Sequence, residues 1–175
     1  EGQFYARITS EVLDPLSATA LALRGGAYTA IWVSVDVCHI TRDLTEKVDA
    51  LLADEILGYD PAWLTLAATH IHTGPYLERG GMLSLNGDDE DEQGALTAAE
   101  CARQVARGIA RAAAEAIRNL RPCRMELAVA QVITGVNRRA VYKDGTAKMY
   151  GAIDTPDFYR MEGRDGGPSQ LIYVY

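Results

Sequence analysis

At 175 residues, 48% of them hydrophobic, the chain has the length of one domain with a sizeable core. Acidic residues outnumber basic ones, 24 to 17, for a formal charge of −7 with no basic stripe to offset it, which argues against nucleic acid as a partner. No run approaches the roughly 20 apolar residues that span a bilayer, so no transmembrane segment is expected. Glu1-Gly2-Gln3-Phe4-Tyr5 is unlike a signal peptide.

In chain order, Ser17 to Leu23 and Ala27 to Val37 read as two strands. Arg24-Gly25-Gly26 joins them as a hairpin turn whose glycines supply positive φ. Ile31 to Val37 is apolar enough for a central strand. Thr41 then has the character of an N-cap and Asp43 lies in the first turn. They open a helix with Leu44, Val48, Leu51, Leu52 and Ile56 at helical spacing. Gly58 ends it, Asp60-Pro61 turns the chain, and Trp63 to His72 is the next strand. The result is a strand-helix-strand unit. If its strands are parallel neighbours, His39 leaves the sheet at the edge where His70 and His72 emerge.

Further on, the acidic, apolar-free run Asn86 to Glu92 reads as a solvated loop, because it lacks the ligand spacing of a calcium loop. Thr97 to Leu120 predicts a long Ala-rich helix with Val105, Ile109 and Ile117 on its buried side, and Pro122 follows its end. Met125, Leu127 and Val129 alternate with Glu126, Ala128 and Ala130, the pattern of a strand with one better-buried face. Asp144-Gly145 marks a second hairpin. Arg138 and Arg139 are surface charges or, near a metal, anchors for an anionic group of a substrate. Leu171 to Tyr175 is a strand-like run at the end of the chain, with no return element after it. Together with the absence of an initiator methionine, this leads us to expect a piece of a larger protein. The three cysteines, Cys38, Cys101 and Cys123, are odd in number and have no Cys-x-x-Cys spacing, so a disulfide framework is not supported. Cys38 and Cys101 read as buried thiols.

The chemistry concentrates in Ala68-Thr69-His70-Ile71-His72-Thr73-Gly74-Pro75, which holds two of the chain's three histidines. Residues two apart share a face on a strand but point roughly opposite ways on a helix, so a strand lets both imidazoles reach one metal ion. Gly74-Pro75 then stops the strand and sets the pair where it opens into a loop. The plainer alternative is a pair of histidines satisfying hydrogen bonds at a sheet edge. Asp36 either orients a ligating histidine through its second ring nitrogen or caps a loop, and His39 is a further candidate beside the metal.

These stretches resemble the N-terminal catalytic domain of neutral/alkaline non-lysosomal ceramidases and their bacterial relatives. The resemblance rests on Leu16 to Leu23, on Val33-Ser34-Val35-Asp36-Val37-Cys38 continuing to Thr41-Arg42-Asp43-Leu44, on the histidine octet, and on Asn137-Arg138-Arg139 with Asp144-Gly145. It implies a zinc-dependent amidase in which His70 and His72 bind the metal. In ceramidases zinc polarises the amide carbonyl and activates a water, releasing a fatty acid and a sphingoid base. The resemblance further implies that the remaining zinc ligands, another histidine and a more distant glutamate and tyrosine, lie downstream of Tyr175. His39 sits where relatives often carry a small residue.

The expected fold class is therefore α/β, a layered mixed sheet with flanking helices whose strand-helix-strand unit carries the metal site. Residues 1–175 would form the N-terminal part of a ceramidase-like zinc hydrolase domain. The expected function is zinc-dependent hydrolysis of a small-molecule or lipid amide. A metal-dependent hydrolase of another substrate class and a non-catalytic metal-binding domain stand beside it. The Asp-His continuation of metallo-β-lactamase folds is absent after His72, and the chain is short for an amidohydrolase barrel. Both a bacterial cytoplasmic and a secreted location are compatible with the sequence.

Overall fold

The computed structural model describes residues 9, 11–78, 96–133, 135–163 and 166–175, so the acidic run at 86–92 lies outside the described residues. The chain divides into two compact units, Glu1–Leu120 and Arg121–Tyr175. Among the described residues the architecture is α/β, with mixed and antiparallel sheets and two flanking helices.

The first unit is built on a three-stranded sheet in the order β1-β2-β3, with β1 (Ala18–Gly25) antiparallel and β3 (Leu64–Ala68) parallel to the central β2 (Tyr28–Val35). Gly25 pairs with Tyr28, so the turn is Gly26-Ala27, one residue later than the glycine pattern predicted. Gly26 supplies the left-handed conformation there, at φ +58. Along β2 the side chains alternate as a strand with one covered face requires: Ile31, Val33 and Val35 are buried, while Trp32 and Ser34 are exposed.

Two helices cover that face. In α1 (Arg42–Glu55) the Thr41 hydroxyl accepts a hydrogen bond from the Leu44 N–H at 3.1 Å, which makes Thr41 the expected N-cap. Leu44, Val48 and Leu52 are completely buried in the common core, and Ile56 packs there from the C-cap position. A short 3₁₀ turn over Pro61–Trp63, capped by Asp60, leads into β3. The second helix, α2 (Ala98–Arg118), packs on α1 and across β1 and β2. Ile109 is fully buried as expected, but Val105 and Ile117 are only half-buried. The rest of the inner face is Ala102, Ala106, Ala110, Ala113 and Ala114, whose small side chains let the helix axis come close to its neighbours.

The start of α2 supports a pH-dependent prediction. Thr97 donates its backbone N–H (2.9 Å) and its hydroxyl (2.8 Å) to the Glu100 carboxylate, and its hydroxyl oxygen accepts the Glu100 N–H at 3.3 Å, a reciprocal capping box. The Thr97 backbone and hydroxyl hydrogen bonds hold the Glu100 carboxyl below its ordinary range, against a smaller opposing effect of burial. A depressed carboxyl stabilises the fold above its unfolded pKa of about 4.3, and that contribution is lost as pH falls through the lower folded value. Thr97→Ala should therefore lower the Tm at neutral pH. The gap to wild type should narrow in acid to the share of the Glu100 N–H bond to the Thr97 hydroxyl, which a series of melts from pH 7 down to pH 3 measures.

Among its described residues the second unit has strands and no helix. β4 (Met125–Val132) pairs antiparallel with β8 (Gly167–Val174), so the strand-like run at the end of the chain has a partner. Contrary to the alternating pattern, Met125, Leu127 and Val129 are exposed, at 58%, 67% and 64%. The two strands form a ribbon of their own, and alternation buries a face only where another layer covers it. The remaining strands, β5 (Arg139–Tyr142), β6 (Ala147–Met149) and β7 (Phe158–Met161), make a sheet in the order β6-β5-β7. Its first hairpin turns at Asp144-Gly145 as predicted. The Asp144 carboxylate accepts from the Thr146 N–H and hydroxyl, and Gly145 has φ +83.

Candidate metal centre

Parallel pairing of β2 with β3 brings two carboxyl-terminal strand ends to one edge, where the peptide groups run on past the regular strands. The Thr69 N–H donates to the Val35 carbonyl at 2.9 Å and the His70 N–H to the Val37 carbonyl at 3.1 Å. Then the chain breaks from the ladder, because His70 takes the left-handed conformation, φ 63. Few non-glycine residues adopt it, though histidine is among those enriched there, and such backbone outliers concentrate at functional sites.

This corrects the sequence reading of the strand. β3 stops at Ala68, and both His70 and His72 lie on the loop that follows it. Their proximity therefore does not come from a shared strand face. The kink at His70 folds the two imidazoles together, with ring centroids 4.8 Å apart and planes at 80°. Both side chains are exposed.

Across from them is Cys38, which is buried at 7% exposure. Cys38, His70 and His72 each present a ligand atom, and the three atoms lie within 4.8 Å of one another. The Cys38 sulfur is 4.0 Å from His70 Nδ1, and the Cys38 carbonyl oxygen is 2.6 Å from the same nitrogen. A carbonyl only accepts, so Nδ1 carries the proton and the Nε2 lone pair is what His70 offers to a metal. This is how ligating histidines are commonly oriented. Neighbouring ligand atoms on a tetrahedral zinc sit roughly 3.5 Å apart, so the group is of the size that side-chain adjustment about such an ion would close. Thiol and imidazole are also the donor types zinc takes, so the residues fit such an ion.

Asp36 is hydrogen-bonded on both carboxylate oxygens. One carboxylate oxygen accepts the Ser17 N–H (3.0 Å) and hydroxyl (2.6 Å), and the other accepts the Thr69 hydroxyl at 3.0 Å. It thereby ties the start of β1 and the end of β3 to the end of β2, one residue before His70. The Ser17 hydroxyl and N–H, with the Thr69 hydroxyl, hold the Asp36 carboxyl below the usual carboxylate range. Buried Gly74 packs the far side of the loop: a Cβ there would lie 3.7 Å from the Asp36 carbonyl oxygen.

Of the other sequence candidates, His39 is in the first unit and the two arginines are in the second. His39 is outside the triad and faces Glu78, with Nε2 and Oε1 3.4 Å apart. Arg138 and Arg139 belong to the second unit. The Arg138 guanidinium lies 5.0 Å from the centre of the Tyr150 ring, and Arg139 pairs with Glu162 at 3.0 Å. The residue that sequence reasoning missed is Cys38. The strand-helix-strand pattern points to the right edge, but the imidazole there is that of His39, its neighbour, and the apolar run before Cys38 marks the cysteine as core. No family model, curated protein or solved structure matches this chain. Among the described residues no helix is long and apolar enough to cross a membrane.

Proposed function

We propose that this chain carries a zinc-dependent amidase site in which His70 and His72 bind the metal and the substrate is an N-acyl compound. The carrying observation is the grouping of Cys38, His70 and His72 at the carboxyl edge of a parallel strand pair. The choice of reaction and of ceramide as the first substrate to try is supported by the resemblance of the histidine octet and the Ser34-Val35-Asp36 run to neutral ceramidases. In this reading the Cys38 carbonyl sets the tautomer and plane of the His70 ring. Asp36 holds the histidine loop against the sheet through Thr69. The exposed imidazoles leave the site open to a substrate. Zinc bound here supplies carbonyl polarisation and a water whose pKa falls to about 7.

A second reading is a domain that holds metal without catalysis. The buried Cys38 thiol favours it, since structural zinc sites are rich in cysteine. Elemental analysis of the purified chain, with turnover of ceramide and of short N-acyl amino compounds before and after chelation, separates the two. About one zinc per chain and a chelator-sensitive amidase restored by zinc support the amidase. Bound zinc without turnover across the panel favours the second reading, and absence of zinc overturns both.

A further inference from the structure

We infer that Cys38 is itself a ligand of the metal held by His70 and His72, so that this segment supplies a Cys-His-His donor set suited to zinc or a similar borderline-soft divalent ion. The inference rests on the metal reading above and gives it a third protein ligand from within the described residues.

Three observations carry it. The Cys38 sulfur and the two imidazoles form one group of ligand atoms, none more than 4.8 Å from another. The two chain segments that bear them are locked together at that point: the His70 backbone N–H bonds the Val37 carbonyl and the His70 ring bonds the Cys38 carbonyl. The site therefore needs only side-chain adjustment to close on an ion. Finally, the setting of Cys38 differs from that of an ordinary core cysteine. Cys101 is the comparison: it packs in the inner face of α2 with alanines and Ile109, and burial pushes its thiol up. Cys38 is as buried as Cys101 but lies against the His70 ring, its sulfur 4.0 Å from Nδ1, the nitrogen that the Cys38 carbonyl holds, which leaves the Nε2 of that ring to the metal.

The chemistry of the donors predicts selectivity. Sulfur and imidazole nitrogen favour zinc and cobalt over magnesium, calcium or manganese, which take oxygen ligands. On binding, the Cys38 S–H bond breaks, its proton passes to water, and the sulfur forms the bond to the metal. Three protein ligands are also what a catalytic zinc commonly has, with the fourth position left for water or substrate. His39 is the less suitable third ligand, since it lies outside the group and faces Glu78.

Cobalt(II) titration of the whole chain tests this, because a sulfur ligand adds an intense near-ultraviolet charge-transfer band that imidazole alone does not. Wild type and Cys123→Ser, in which an exposed cysteine is changed, should show the band. Cys38→Ser should lose it and bind zinc at least about tenfold more weakly. His70→Ala with His72→Ala should abolish binding. If that double variant binds as wild type does, the histidine assignment fails and this proposal with it. If wild type binds cobalt without the band, or Cys38→Ser keeps band and affinity, Cys38 is not a ligand while the histidine site stands. Should Cys38→Ser not fold, alkylation of wild type read by peptide mass decides: zinc should slow modification of Cys38 but not of Cys123, and equal rates overturn the proposal.

Discussion

His72→Ala should reduce chelator-sensitive N-acyl hydrolysis at least about a hundredfold in kcat/KM. The magnitude follows from a comparison: losing a group that merely orients a metal ligand costs about 10- to 100-fold, so losing the ligand itself should cost more. The stability of the chain should barely move, because the His72 side chain is exposed and surface substitutions usually stay within about 0.5 kcal/mol. His70→Ala is the less clean probe. It removes the bond to the Cys38 carbonyl and places alanine in the left-handed conformation, which together disturb the loop as well as the site. Steady-state kinetics, metal content and a thermal melt on the same preparations settle it. Wild-type turnover in metal-depleted His72→Ala would overturn the role of this residue.

The largest loss of stability is expected from Ile31→Ala. Ile31 is completely buried in the central strand, between Ala22 of β1 and Leu64 of β3, on the face that the helices cover. Truncating it removes apolar burial and leaves a cavity in a layer packed from three sides, which costs about 2–5 kcal/mol. That is a large fraction of the roughly 5–15 kcal/mol of a typical domain. The site should feel it too, since β2 runs directly into Asp36, Val37 and Cys38, whose carbonyls and carboxylate hold the histidine loop. Urea unfolding should show a lower midpoint with little change in slope, alongside weaker zinc binding. A loss under about 1 kcal/mol would mean that β2 is not the mechanical centre of this unit.

The local elements were legible because their signals are local. Thr41 and Thr97 stand where helices need a hydroxyl at the N-cap, Gly26 and Gly145 stand where turns need positive φ, and the apolar positions of α1 recur with the helix period. The two histidines were legible as a candidate pair from their spacing and from the glycine and proline that follow.

The tertiary structure decided three things that no short window contains. The Leu127 face of β4 is exposed although it alternates like a buried strand, since burial depends on whether a second layer arrives and not on the pattern that would suit one. The histidines meet through a left-handed kink at His70, a backbone state set by the bonds that the ends of β2 and β3 exchange across sequence separations of 32 or more. Cys38 joins them for the same reason. Parallel pairing of β2 with β3 carries a residue that looks like core from its neighbours in sequence to within 4.0 Å of a histidine ring nitrogen, and a contact made by strand pairing leaves no mark on the residues beside it.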